Sequence, residues 1–268
     1  MTPLEIASRR LRVREVLRVE GNILIALMLR DISTRFGSAP GFLIAIAWPV
    51  SHIIILLAIN VFAGRLVPYG DSAVLWFSLG ATPFMIASYT SRFMVFGLIM
   101  NRPLLMFPAI SIFDILVSRI LIEVIVSSMV VISLVLILTF LDVDFLPIDT
   151  GMAVSALMMS LLLGIGLGVT NSILALIMPQ WAVVYSLLTI VLWLTSGAFF
   201  VPSNLPGPLR DVIYYHPIMH LIEWTRMAWY EGYSSLVFDK NYVIGFTLVM
   251  LCYGLVLERL LRGRLLYA

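Results

Sequence analysis

The chain has 268 residues, of which 61% are hydrophobic and 12% are charged, and its formal net charge is +2. Soluble domains carry about twice that share of charged residues, so the composition excludes an ordinary water-soluble protein and indicates an integral membrane protein. The single cysteine, Cys252, lies within an apolar run. An intrachain disulfide is therefore excluded, and the sequence predicts no metal site.

The apolar stretches predict an all-α integral membrane protein with six transmembrane helices in a single domain, residues 1–268. A spanning helix needs about 20 predominantly apolar residues. The predicted spans are 42–62, 74–96, 112–140, 152–178, 181–200 and 242–261. Three glycines of the fourth span, Gly164, Gly166 and Gly168, are expected to permit close helix packing rather than to bind phosphate.

The distribution of basic residues predicts that both termini face the cytoplasm. Seven arginines precede the first span and three lie in the C-terminal tail, whereas the connection between the third and fourth spans contains acids but no basic residue. Cytoplasmic segments of membrane proteins are enriched in arginine and lysine. The first thirty residues lack the apolar core of a cleavable signal peptide, so we expect the N-terminus to be retained.

Three segments outside the spans have informative patterns. Residues 3–35 alternate arginines with apolar residues, which predicts a basic amphipathic helix on the inner membrane surface or a simple positively charged anchor. Residues 101–108 place apolar residues between two prolines, as in a docking element or ordinary interface packing. Residues 201–241 interrupt helices repeatedly and are rich in aromatics, which predicts short helices dipping into the outer leaflet, either as an aromatic belt or as a gate.

Several kinds of chemistry have no signature in the sequence. There is no GxxxxGK[ST] phosphate loop, so the chain is not expected to use ATP alone. The centres of the spans are poor in carboxylates, which argues against a proton or sodium pathway. His216 and His220 are four residues apart, but no HExxH pattern accompanies them. Arg119 and Glu123 have the i, i+4 spacing of a structural ion pair within the third span.

Three blocks of sequence resemble ABC-2 type permeases that export capsular polysaccharide. They lie near the first span, between the second and third spans, and in the outer segment. They read LRDISTRFG at 29–37 with WP at 48–49, NRP at 101–103 ahead of Asp114, and HPIMH at 216–220 with Arg226. The resemblance covers nearly the whole chain.

The resemblance implies an N-terminal interface helix, six membrane helices, a cytoplasmic coupling helix between the second and third spans, and short outer gate helices between the fifth and sixth. It implies a homodimer in the bacterial inner membrane, paired with two copies of a cytoplasmic ATPase. ATP and Mg²⁺ would be bound by that ATPase, with no cofactor on this chain. A periplasmic adaptor and an outer-membrane channel would continue the path of a lipid-linked acidic polysaccharide, and no nucleic acid is implied as a partner.

Three groups of candidate site residues follow. An acidic polymer in a low-dielectric pore needs cationic, hydrogen-bonding or stacking partners, although packing or belt placement remains the alternative for each aromatic. The predicted substrate pathway contains Arg30, Arg35, Trp48, Trp76, Tyr89, Arg92, Tyr214 and Tyr215. The predicted ATPase-coupling residues are Asn101, Arg102, Pro103, Leu104, Leu105, Met106 and Phe107. The predicted outer gate contains His216, Pro217, His220 and Arg226.

Other functions remain open at the level of sequence. The closest alternative is an ABC-2 exporter of another cargo, such as O-antigen, teichoic acid or a small drug. A membrane-embedded transferase would need an acid–base cluster, and the outer set of Asp211, His216, His220 and Glu223 is the best candidate. A purely structural membrane scaffold is the third alternative.

Overall fold

The computed structural model of the chain describes residues 3–37, 39–62 and 67–267. Side chains are described at residues 15, 18–33, 37, 47–48, 50–59, 62 and 67–263. Over these ranges the secondary structure is helical, with no strand, which confirms the predicted all-α class.

The described ranges contain nine α-helices and two short 3₁₀ helices. The α-helices are α1 Pro3–Phe36, α2 Ala39–Phe62, α3 Ala73–Met100, α4 Ile112–Phe140, α5 Thr150–Ile177, α6 Trp181–Thr195, α7 Gly207–Ile213, α8 Pro217–Trp229 and α9 Lys240–Tyr267. The 3₁₀ helices are Arg102–Met106 and Pro202–Asn204. Four helices, α3, α4, α5 and the Lys240–Gly263 part of α9, are long and apolar enough to cross a membrane. Helix α6 and the described Val50–Ile59 stretch of α2 are apolar but shorter, so the count of six spans stays a prediction.

Helix α6 ends at Thr195, five residues before the predicted end of the fifth span. Gly197 has a φ of +81°, in the left-handed region that favours glycine, so the chain turns out of the helix there. The apolar run continues to Phe200, and for that reason hydropathy alone placed the boundary too late.

Helix α5 packs closely between α3 and α9, and glycines make this contact possible. A Cβ atom on Gly164 would lie 2.8 Å from the Ala87 carbonyl oxygen of α3, and one on Gly166 would lie 3.1 Å from the Thr247 carbonyl oxygen of α9. Gly254 of α9 approaches the backbone of Thr170 in the same way. The predicted packing role of the α5 glycines is confirmed, and α3 is consequently buried along most of its length.

Helix α4 begins at Ile112, where its sequence provides a capping box. The Ser111 backbone N–H and hydroxyl both donate to Asp114 Oδ2, and the Asp114 backbone N–H donates back to Ser111 Oγ. These bonds satisfy helix N–H groups that would otherwise lack partners. One face of α4 is buried and includes Arg119 and Glu123, while much of the remaining surface is apolar and exposed, as expected for a helix in contact with lipid.

Candidate functional site

A buried polar network joins α1, the end of α3 and α4, and we call it the inner junction. Arg30 Nη1 donates to Asn101 Oδ1 at 2.6 Å, and Asn101 Nδ2 donates to Asp31 Oδ1 at 2.8 Å. The other Asp31 oxygen lies 3.2 Å from Arg119 Nη1. Asp31, Asn101 and Arg119 are each at most 5% exposed. Removing one partner would leave a buried charge or amide unsatisfied, which is costly. The members of the junction therefore hold one another in place.

The path of Arg119 to α1 depends on a glycine of α3. A Cβ atom at Gly97 would collide with the Arg119 guanidinium, and Arg119 Nη2 donates to the Phe93 carbonyl oxygen at 2.9 Å. The i, i+4 spacing predicts an ion pair between Arg119 and Glu123 within α4, and that pair stays a prediction. The structure pairs Arg119 with Asp31 of α1. Glu123 lies one turn further along α4 and is 1% exposed.

The segment predicted to couple the chain to an ATPase starts at this junction. Asn101 precedes the 3₁₀ helix Arg102–Met106, with Pro103 in its first turn. Leu104 and Leu105 pack against the core formed by α3, α4 and α5. Met106 is 85% exposed and Phe107 is 59% exposed. The segment is therefore fixed at its base and presents an apolar tip, although its contact with an ATPase stays a prediction.

A cavity of about 270 Å³ opens between α2, α3 and α6, and we call it the central pocket. Its polar and aromatic lining includes His52, Ser88, Tyr89, Arg92, Thr189 and Trp193. The Nδ1 atom of His52 and the hydroxyl of Tyr89 are 2.9 Å apart, within hydrogen-bonding distance. The His52 ring also meets Trp193 edge to face, with the centroids 6.3 Å apart.

Arg92 is the charged group of the central pocket. It is half-buried, and it makes no ion pair with any carboxylate in the described ranges. A guanidinium within an apolar helical bundle is costly without a counter-charge or water. A carboxylate or phosphate of a ligand is the kind of group that would supply this counter-charge, and the role of Arg92 in binding one stays a prediction.

The end of the molecule that contains α8 is held by a cluster around Arg226, which is completely buried. The sequence predicts that this end is the outer one, and we call the cluster the outer cluster. Arg226 Nη1 donates to the Gly197 carbonyl oxygen at 2.9 Å and to Glu223 Oε1 at 3.0 Å. Arg226 Nη2 donates to the Ala198 carbonyl oxygen at 3.0 Å. The guanidinium carbon lies 3.8 Å from the centroid of the Trp76 ring. Arg226 thus fastens the turn after α6 to α8 and α3.

Glu223 is the counter-ion in this outer cluster and is also completely buried. Its carboxylate accepts from the Tyr233 hydroxyl, at 2.9 Å to the nearer oxygen. Burial raises the pKa of Tyr233, so this hydroxyl keeps its proton and serves as the donor. The acid proposed for a transferase is therefore engaged in structural contacts on both sides.

His216 and His220 are bound through both ring nitrogens to the backbone. His216 Nδ1 accepts from the Met219 N–H as the N-cap of α8, with Pro217 following as the first helical residue, and its Nε2 lies 3.1 Å from the Leu192 carbonyl oxygen. His220 Nδ1 accepts from the Asp239 N–H, and its Nε2 lies 2.7 Å from the Tyr214 carbonyl oxygen. An accepting Nδ1 requires the proton on Nε2, so both rings are neutral.

Burial is the main cause that lowers the pKa of both imidazoles, in the case of His216 to about 4. The same region caps α9 through Asp239, whose Oδ1 accepts from the N–H groups of Asn241 and Tyr242. The bond from the Tyr242 N–H is the largest cause that lowers the pKa of Asp239. This region is therefore a set of helix caps joining α6, α8 and α9.

The predicted pathway residues are distributed over several regions. Tyr89 and Arg92 share the central pocket, whereas Arg30 belongs to the inner junction. Trp76 is completely buried below Arg226, so a pathway role for it would require that packing to open. Of the remaining four, Trp48 is exposed on α2. Tyr214 is hydrogen-bonded to Asp239, and Tyr215 is exposed beside it. The side chain of Arg35 lies outside the described residues.

Sequence reasoning missed His52, Trp193 and Asp31 as site residues. The available signal was the occurrence of polar groups inside or beside apolar spans, which marks function in membrane proteins. Asp31 lies in the 29–37 block that carries the family resemblance, and His52 follows the WP pair at 48–49 by three residues.

The chain is also similar to a known family and to known proteins. The family described as ABC-2 type transporter matches residues 23–230, a range that contains the inner junction, the central pocket and Arg226. The chain is 29% identical over 235 residues to the polysialic acid transport protein KpsM of Escherichia coli, covering 87% of this chain and 91% of KpsM. It is 25% identical over 248 residues to the capsule polysaccharide export inner-membrane protein CtrC of Neisseria meningitidis serogroup B, covering 91% and 92%.

Proposed function

Because this chain belongs to the ABC-2 type transporter family, we propose that it is the membrane permease subunit of an ATP-driven exporter of capsular polysaccharide. The observation that carries the proposal is the similarity to KpsM and CtrC, which extends over most of all three chains. Their names refer to polysialic acid transport and to capsule polysaccharide export.

The proposed topology has six helices crossing the bacterial inner membrane, with both termini in the cytoplasm. Helices α3, α4, α5 and α9 are supported by their length and hydropathy. Helices α2 and α6 complete the six in this proposal, since both are apolar and both line the central pocket. The excess of arginine ahead of α2 and after α9 supports the orientation.

Two copies of this chain would work with two copies of a cytoplasmic ATPase that binds ATP and Mg²⁺. Met106 and Phe107 would contact the ATPase, because they are the exposed apolar tip of the coupling segment. A displacement of that tip would reach α1 and α4 together, since Asn101 is bonded to Asp31 and Asp31 is paired with Arg119.

The cargo would be an acidic, lipid-linked polysaccharide that passes the central pocket. Arg92 would receive a carboxylate or phosphate of the polymer in a forked contact, and Trp193 or Tyr89 would stack on a sugar ring. A neutral polymer would leave Arg92 without a counter-charge. A periplasmic adaptor and an outer-membrane channel would continue the path.

The transferase alternative loses its support in the outer segment. All four ring nitrogens of His216 and His220 are engaged with the backbone, and Glu223 is held by Arg226 and Tyr233. Asp211 of the same set lies on the exposed side of α7. A general base must be able to reach a substrate proton, and His216, His220 and Glu223 are committed to holding helices together.

The decisive experiment reconstitutes the chain with its ATPase in lipid vesicles and measures ATP hydrolysis and polysaccharide export. Met106→Ser with Phe107→Ser should reduce co-purification of the ATPase and export, since the apolar tip is removed. Leu146→Ser, at an equally exposed position beyond the opposite end of α4, is the matched control. If no ATPase associates with the unaltered chain, the proposal is wrong.

A further inference from the structure

A cleft of about 760 Å³ opens between α1, the beginning of α4 and the end of α9. Its lining carries charges of both signs, and none of the described residues that line it belongs to the inner junction or the central pocket. The acidic residues are Glu20, Asp114 and Glu258, and the basic residues are Arg259 and Arg262. Leu24, Phe113 and Val117 form an apolar wall beside them.

Glu258 is the buried group of this cleft, with 8% of its surface exposed. Its Oε1 atom accepts no hydrogen bond from any described residue. Arg262 Nε is 3.4 Å away and forms an ion pair without a hydrogen bond. A buried carboxylate oxygen normally accepts a hydrogen bond. The described part of the chain provides no donor for Glu258 Oε1.

The cleft lies where α4 begins and α9 ends, so these ends of the two long apolar helices are on the same side of the molecule. Asp114 is in the first turn of α4, and Glu258, Arg259 and Arg262 follow the apolar part of α9. Arginines at the ends of membrane helices extend their guanidinium groups to the level of the lipid phosphates. The cleft is therefore placed at headgroup depth if α4 and α9 cross the membrane.

We infer that this cleft binds the headgroup of one phosphatidylethanolamine molecule. The primary ammonium has three N–H donors, which suit Glu258 and the neighbouring Asp114 and Glu20. The phosphate suits Arg259 and Arg262, which offer forked contacts to its oxygens. The apolar wall of Leu24, Phe113 and Val117 receives the start of an acyl chain.

The charge pattern separates this ligand from its competitors. A choline headgroup carries no N–H donor and would leave Glu258 Oε1 unsatisfied. An anionic glycerol headgroup would bring no cation to three carboxylates. A lysine or arginine of a partner protein would satisfy Glu258 but would bring no anion to Arg259.

The test is native mass spectrometry of the purified full chain in detergent, titrated with dioleoyl phosphatidylethanolamine, the choline analogue or the glycerol analogue. The wild-type chain should retain one ethanolamine lipid in preference to the other two. Glu258→Gln and Arg259→Gln should each weaken that binding about tenfold, since charge-assisted hydrogen bonds are the stronger class. The exposed Arg259 keeps the test valid if the Glu258 variant fails to fold.

Matched controls are Glu231→Gln and Arg18→Gln, which change exposed charges outside the cleft and should leave lipid retention unchanged. Equal retention of the ethanolamine lipid by wild type and both cleft variants would overturn the inference. Preference for the glycerol lipid would overturn it in favour of a simple anion site. Complete displacement of the lipid by added ATPase subunit would overturn it in favour of a protein contact.

Discussion

Two arginines in the same bundle, Arg226 of the outer cluster and Arg92 of the central pocket, are in opposite situations. Arg226 is completely buried and donates to three backbone carbonyls and to Glu223. Arg92 is half-buried, lines a cavity and has no carboxylate partner among the described residues.

The role of a charge in an apolar protein depends on what its side chain contacts. A buried charge that is held by a counter-ion and several backbone carbonyls contributes to the fold, because its removal leaves those partners unsatisfied. A charge that lines a cavity without a partner retains its capacity for a ligand. Residue type and hydropathy are the same in the two cases, so contacts alone distinguish them.

Replacing Arg226 should have the largest effect and tests the structural half of the comparison. Arg226→Met removes donors from the Gly197 and Ala198 carbonyls and leaves Glu223 buried with an unbalanced charge. Breaking a buried pair on one side costs about 3–5 kcal/mol. We expect a strongly lowered melting temperature in detergent, measured by differential scanning fluorimetry, and poor recovery of folded protein.

The double variant Arg226→Met with Glu223→Gln is the control for this effect. It removes the unpaired charge, so it should be more stable than the single variant while remaining less stable than wild type. A single variant as stable as wild type would mean that Arg226 does not hold the outer end, and the comparison would fail.

Replacing Arg92 tests its proposed role in contacting an acidic cargo. Arg92→Gln should leave the melting temperature nearly unchanged, because no described carboxylate loses a partner. Export of an acidic polysaccharide by the reconstituted exporter should fall about tenfold, the scale of one lost charge-assisted contact. Arg92→Lys should retain part of the activity, since it keeps the charge but not the fork.

A neutral polysaccharide serves as the internal control for the Arg92 variant. Its export should change little, and Arg210→Gln on α7 should affect neither cargo. Equal loss for acidic and neutral cargo would assign Arg92 to packing and remove the contrast with Arg226.

The inner junction is a third case, because its charges are buried and connect helices that we expect to move together. Asn101→Ala removes the acceptor for Arg30 and the donor to Asp31, which should cost about 1–3 kcal/mol in stability. We expect ATP hydrolysis to continue while export per ATP hydrolysed falls. Asn171→Ala is the matched control, since Asn171 is an equally buried amide that bonds to Trp181 and not to the junction. An unchanged ratio of export to hydrolysis would assign the junction to stability alone.

Much of the architecture was predictable from sequence, whereas the partners of the charges were not. Apolar runs indicated the long apolar helices α3, α4, α5 and α9, and the α5 glycines indicated close packing, because both signals are local. The pairing of Arg119 with Asp31 joins residues 88 positions apart, so an i, i+4 rule was unable to find it. The burial of Arg226 and Trp76 likewise depends on the turn at Gly197, where a glycine conformation rather than hydropathy ends α6.

The smallest expected effect concerns pH and the outer end that Arg226 fastens. Burial lowers the pKa of His216 to about 4, below the value of about 6.5 expected in the unfolded chain. Between these values the unfolded state binds more protons than the folded state, so stability is lost as the pH falls through this window. The melting temperature of the wild-type chain should therefore decrease from pH 7 to pH 5.

His216→Asn keeps an N-cap acceptor for α8 without a titrating ring, so its melting temperature should depend less steeply on pH. His220, whose pKa is lowered in the same direction, accounts for a remaining slope. If the two proteins show the same slope, the pKa of His216 is not lowered on folding, and burial of its ring at the outer end is wrong.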